Sequence, residues 1–194
     1  MRNRLLMAVA LVSASLTGIA AHAQSTTWAI DPAHSSINFE VRHLQVSKIH
    51  GSIANLKGTV IYNDSDVTKS SVEATADTTT VSTGVEKRDQ HLKSADFFTV
   101  EKYPQLTFKS TSLAKHDGKL TLTGDLTLAG VTKSVTLDVD GPATPVTGQD
   151  GKTRSAFSAT GLLKRTDFNF GPKFGNAMIS DEVKFTIDIE IDKQ

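Results

Sequence analysis

Near its end the chain alternates strictly. Val183, Phe185, Ile187, Ile189 and Ile191 are apolar, and Lys184, Thr186, Asp188, Glu190 and Asp192 between them are polar. A two-residue period places each set on its own face of a β-strand. The same period puts Ile37, Phe39 and Val41 on one side of SSINFEVRH, Leu120 and Leu122 on one side of KLTLTG, and Val135, Leu137 and Val139 on one side of KSVTLDVD. Shorter strands are predicted around residues 27–30, 58–62, 72–80, 106–112, 124–128 and 155–163. Turn residues separate them at Asp31-Pro32, Asn63-Asp64, Asp117-Gly118, Ala129-Gly130, Gly141-Pro142 and 148–151. Asp117-Gly118 has the form of a two-residue hairpin. Short strands without a βαβ rhythm predict an antiparallel all-β domain, a barrel or a sandwich. A membrane barrel shares the two-residue period. One Trp and two Tyr are too few for its two aromatic girdles, however, and the polar faces are rich in charge and threonine.

One segment breaks the alternation. EKRDQHLKSADFF, residues 86–98, is charged and helix-patterned. Thr83-Gly84-Val85-Glu86 fits a capping box, so a helix is predicted from about residue 84. At about 100° per residue, Val85, Leu92 and Asp96 share a stripe flanked by Arg88 and Asp89, with Glu86, Lys87, Gln90 and Lys93 opposite. So thin a stripe fits a cover over the end of a β structure, anchored by Phe97 and Phe98. An Arg88–Asp89 tether of no further consequence is the alternative.

Charge also intrudes into apolar rows. Phe157, Ala159, Gly161 and Leu163 share a face, and the phase continues to Arg165 and Asp167; His43 continues the row of Ile37, Phe39 and Val41. A buried arginine needs a partner. Either an Arg165–Asp167 pair tethers a closed end, or Arg165 meets an anionic group.

Composition removes several functions. Arg2 and Arg4 precede an apolar run that ends in small residues at Ala21-His22-Ala23, which predicts a signal peptide over 1–23 and one exported, soluble domain over 24–194. Without Arg2 and Arg4 the remainder has 19 basic against 21 acidic residues, so bulk charge does not favour nucleic acid or an anionic membrane. The chain has no cysteine. That excludes disulfides, thiolate metal sites and a cysteine nucleophile. The histidines form no HxH, HxxxH or HExxH pair, no phosphate loop occurs, and His34-Ser35-Ser36 lacks a nucleophile elbow, so no metal, cofactor or catalytic residue is expected.

WAIDPAHSSINFEVRH, RDQHLKSADFFTVEKYPQLTFKST, GDLTLAGVTKSVTL and RTDF together resemble the YceI-like family of bacterial exported lipid-binding proteins, over nearly all of residues 24–194. The resemblance implies an antiparallel eight-stranded lipocalin-like barrel with a short helix covering one end. It implies a periplasmic protein that holds a long-chain amphiphile, such as a polyisoprenoid, an isoprenoid quinone precursor or a fatty amide, in an apolar tunnel. The expected partner is that lipid, with no stable membrane insertion; a homodimer is left open. On the family's motifs, His34, Ser35, His43, Arg88, Asp89 and His91, with Arg165 and Asp167 by phase, are expected at the mouth. Phe39, Val41, Phe97, Phe98, Leu106, Phe108 and Phe168 are expected along the tunnel. Two other classes stay open: an enzyme acting on a lipid head group, and a solid-cored sandwich that serves as an interaction module.

Overall fold

The structure, a computed structural model, describes residues 25–194, so the leader expected over 1–23 lies outside the described residues. In chain order the strands are β1 (Ser25–Ile30), β2 (Ser36–His43), β3 (Ser47–Ile53), β4 (Lys57–Asn63), β5 (Ser71–Asp77), β6 (Gln105–His116), β7 (Lys119–Leu128), β8 (Val131–Asp140), β9 (Val146–Thr147), β10 (Thr153–Lys164) and β11 (Glu182–Lys193). The helix α1 spans Glu86–Lys93. Every strand pairing is antiparallel. Eight strands run in the order β11-β1-β4-β5-β6-β7-β8-β10, and pairing of β10 with β11 closes the ring. Closure removes the free edges that an open sheet would expose. One closed sheet also excludes the sandwich.

β11 is the seam. One edge carries β10 from Arg154↔Asp192 to Lys164↔Glu182. The other edge is shared: β1 takes its C-terminal part, at Ile30↔Ile191, and β2 its N-terminal part, from Ser36↔Asp188 to Glu40↔Lys184. β1 and β2 are therefore two halves of one wall strand, interrupted at residues 31–35. Asp31 turns the chain there by accepting the Ala33 amide at 2.8 Å, and Ser35 Oγ takes the Glu190 amide at 3.1 Å. These bonds satisfy backbone groups that the missing ladder would leave open.

Turn chemistry sets the hairpins. Asp117-Gly118 and Ala129-Gly130 both have positive φ at both residues, 48° and 80°, as tight hairpins require. β3 has no counterpart among the predicted strands, because Gly51 interrupts the apolar row of Ile49 and Ile53. The strand expected over 72–80 ends at Asp77 and passes into a 3-10 turn, Thr78–Thr80, whose buried Thr78 donates to Tyr103 O at 2.9 Å.

The two ends of the barrel differ. At one end lie the β6–β7 hairpin and the 141–152 loop. At the other, called the lid end here, the 78–104 connection with α1 and the segment 165–181 close over the bore, and the β2–β3 hairpin extends past the rim. A packed cluster that includes Trp28, Ile30, Val60, Phe98, Leu106 and Phe168 fills part of the interior. Elsewhere the inward rows leave space: Leu122, Leu126, Val139, Phe157 and Ile187 remain only half-buried, although Leu126, Phe157 and Ile187 pack against the cluster.

Candidate functional site

The inward rows enclose a cavity of about 460 Å³. That lies within the few hundred to one thousand Å³ typical of small-molecule sites, roughly 300–1,000 Å³. Strands of 12 residues, such as β10, are about 40 Å long when extended, and at the usual barrel tilt of about 35–45° they give a wall about 30 Å tall around this space. Its walls are almost wholly aliphatic and aromatic. Among the described residues, none that lines it is Asp or Glu.

Three inward glycines keep the bore open. A Cβ on Gly51 would sit 2.2 Å from Phe39 Cζ, one on Gly124 2.4 Å from Phe108 Cζ, and one on Gly161 2.5 Å from Phe185 Cζ. Each phenyl ring therefore occupies the space its glycine leaves and lies against the wall. With any larger residue opposite, the ring would be driven into the lumen.

The lid is an aromatic clasp between two segments. Phe97 stacks on Phe174 with centroids 5.3 Å apart and 9° between planes, while Phe170 meets Phe97 at 5.3 Å and Phe98 at 4.6 Å edge-on. Such pairs contribute about 0.5–1.5 kcal/mol each beyond their buried area. Gly171 donates its amide to Asp96 O at 2.9 Å. The Asp96 carboxylate accepts from Lys173 at 2.9 Å and meets the His91 ring at 3.0 Å. Those His91 and Lys173 bonds hold the Asp96 carboxyl below its usual range.

Arg165 organises the second segment. Only 2 % exposed, it donates from Nε to Ser180 O, from Nη1 to Phe170 O and Gly171 O, and from Nη2 to Phe174 O and Ile179 O. All five guanidinium N–H groups are used on backbone carbonyls. The expected Arg165–Asp167 pair is not formed, and Asp167 is exposed, because the loop folds back to wrap the cation with its own carbonyls.

The capping box is also replaced. Val85 occupies the helix N-cap position without a side-chain cap bond and is 47 % exposed, so it is not part of an apolar stripe. Thr83 instead donates its amide at 2.8 Å and its hydroxyl to Asp89 Oδ1, while Arg88 donates from Nε to Thr83 Oγ1 at 2.7 Å and from Nη2 to Thr83 O at 3.0 Å. Burial opposes the Asp89 charge, but the Thr83 and Ser82 bonds outweigh it and hold that carboxyl below its usual value. Arg88 Nη1 has no protein hydrogen-bond partner among the described residues, and Arg88 lines the cavity.

Of the residues expected at the mouth, His43, Arg88, His91 and Arg165 border the cavity at the lid end, and Asp89 lies behind Arg88. His34 and Ser35 do not border it; they belong to the break between β1 and β2 in the outer wall. Of the expected lining, Phe39, Val41, Phe97, Phe98, Leu106 and Phe108 border the cavity. Phe168 does not, and is buried in the packed cluster at 2 % exposure because the 3-10 turn Arg165–Phe168 directs it away. Sequence reasoning missed Phe170, Phe174, Met178 and Ile179 of the lid; the aromatic, glycine-rich FNFGPKFGNA run was the signal for the two phenylalanines.

Among the described residues, Asp31, His34 and Glu190 bring ligand-type atoms within 4.8 Å of one another. Their charges are already matched. His34 Nδ1 lies 2.7 Å from Asp31, and Arg154 Nε lies 3.3 Å from Glu190, which makes the group an ion-pair network on the wall.

A closed antiparallel barrel around an apolar cavity, capped by a helix and an aromatic strap, defines a lipocalin-like barrel protein. The chain belongs to the YceI-like family, whose domain matches residues 28–191. Protein YceI of Escherichia coli O157:H7 is 39% identical over 186 residues, 93% of this chain and 94% of that protein. BcnA of Burkholderia cenocepacia has a similar fold, with TM-score 0.73 and 23% identity over 83% of this chain and 98% of that one. So has a polyisoprenoid binding domain from Saccharophagus degradans implicated in plant cell wall breakdown, with TM-score 0.65 and 16% identity over 87% of this chain and 99% of that one.

Proposed function

We propose that this protein is a carrier or store for a long-chain amphiphile, taking its hydrocarbon tail into the barrel and leaving its polar end at the lid. The observation that carries this reading is the apolar cavity of about 460 Å³ behind inward rows that do not meet. Burial of each methylene stabilises such a complex by about 0.8 kcal/mol before ordering costs are subtracted. Polyisoprenoids are the favoured class, in keeping with the Saccharophagus degradans domain of the same fold. His43, Arg88 and His91 are the groups placed to meet the polar end, and Arg88 has a donor to offer. With no carboxylate on the wall among the described residues, the enzyme reading has to rest on His43 and His91 at the lid end for acid–base work. Export to the periplasm rests on the Arg2, Arg4 and apolar-run pattern of residues 1–23.

Titration of lipid-stripped protein with isoprenoid alcohols and fatty acids of increasing length, followed by calorimetry, tests the reading. Affinity should climb with each added carbon unit until the bore is filled and then level off. Affinity independent of chain length would contradict it.

A further inference from the structure

The β2–β3 tip has features that the barrel does not need. Leu44 is 55 % and Val46 83 % exposed, and beside them Met178 on the lid strap is 47 % exposed. Leu44 and Gln45 both have positive φ, 51° and 57°, at the corner of a turn closed by Val46 N to His43 O at 3.0 Å. The other tight hairpins meet this requirement with a glycine, at Gly118 and Gly130. A leucine held in a left-handed conformation and exposed to solvent opposes both local preference and burial. The remaining exposed apolar side chains, such as Val146 and Leu162, are scattered over other parts of the barrel.

Charge around the tip is mostly basic, with Glu182 exposed at the adjoining end of β11. Arg42, His43 and Lys48 are exposed there, and the hairpin's acid, Glu40, is engaged by Lys48 at 3.0 Å with His50 at 3.9 Å. Asp181 on the adjoining strap is engaged by Thr166. An apolar point bordered mainly by cations matches the interface of an anionic bilayer, where apolar side chains enter the head-group region and Lys and Arg face phosphates. The tip is also continuous with the cavity. Arg42, His43 and Met178 border the bore. Leu44 donates to Met178 O at 2.9 Å, Ser180 to Arg42 O at 2.9 Å, and Gln45 Nε2 to Asn176 O, so the tip is latched to the strap that covers the bore.

We propose that the lid end docks transiently on an anionic lipid bilayer through Leu44 and Val46, with Arg42, His43 and Lys48 on the lipid phosphates, and that the guest enters and leaves there. This rests on the binding reading for the guest, while the docking surface is read separately. Co-sedimentation of the protein, stripped and loaded, with vesicles of phosphatidylcholine alone or with added phosphatidylglycerol distinguishes the two. The protein should sediment with the anionic vesicles, less so as salt rises. The double variant Leu44→Asp with Val46→Asp should lose about tenfold in vesicle binding and transfer rate, yet keep the lipid already bound. Arg42→Gln with Lys48→Gln should weaken binding to anionic vesicles only. Equal sedimentation of the double variant, or no sedimentation of the unmodified protein, overturns the docking surface. Failure of the protein to hold any lipid sinks the binding reading instead, since sedimentation is measured independently of cargo.

Discussion

The Phe185 ring lies over Gly161, close enough that a Cβ on Gly161 would sit 2.5 Å from Phe185 Cζ and 3.0 Å from Leu137 Cδ2. The two residues are directly paired across β10 and β11, and Phe39 faces Phe185 from β2. The width of the bore at this level is therefore set by the absence of a side chain.

Gly161→Val should force the Phe185 ring inward. Overpacking of this kind costs about 1–3 kcal/mol. Lipid retention should fall more than stability does, as read by bound lipid per protein against the urea midpoint. Restoration of retention by a second change, Phe185→Leu, would show that the ring blocks the lumen; no restoration would contradict the account.

Arg165→Met should be among the most damaging single changes. It leaves five carbonyls that now accept from the guanidinium to find other donors, at about 1–3 kcal/mol for each that stays buried and unpaired. Arg165→Lys, with three donors, should recover part of the loss. Urea unfolding orders the three proteins, and equal stability of Met and Lys variants would refute the carbonyl cage.

Arg88→Ala should weaken lipid retention more than it lowers Tm, because its Nη1 points no bond at the protein while its other donors only brace Thr83. A larger effect on Tm than on retention would reduce Arg88 to a tether of the lid.

The wall break should respond to pH. The hydrogen bond to Asp31, then the charges of Asp31 and Glu190, raise the His34 pKa above 6.5, against nearby Arg154. Its stabilisation is thus full below pH 6.5 and is lost as pH rises through the higher folded value. Asp31 is lowered below 3.8, first by the His34 bond and then by the Ala33 amide, so its share is present above 3.8 and is lost as pH falls through the lower folded value. The Tm difference between the unmodified protein and His34→Gln should be larger at about pH 5.5 than at about pH 8.5, though small for so exposed a pair. A difference that grows with pH would refute the pairing.

Strand period made the barrel walls legible, since it depends only on which face each side chain takes. Val183 to Ile191 and Val135 to Val139 fall where the alternation puts them. β3 was obscured because Gly51 stands where an apolar residue would mark the row, and the reason is Phe39 across the ladder. Phase and family likeness together pointed to Phe39, Val41, Leu106, Phe108, Arg88, His91, Phe97 and Phe98, all of which border the cavity. Phase failed at Asp167, and the expected lining position of Phe168 failed with it, because the chain leaves β10 for a 3-10 turn at Arg165 and a two-residue period has no meaning beyond that point. The carbonyl cage around Arg165 was illegible, since backbone acceptors leave no mark in a sequence.

The hollow interior is tested most directly by native mass spectrometry of protein purified gently from its own host. Intact barrels should carry one additional mass per chain, released on unfolding and identified in the organic extract as a long-chain lipid, with Phe108→Asp lacking it while still folded. Barrels that fly at their bare polypeptide mass, and that take up no isoprenoid chain when offered one, would contradict the account.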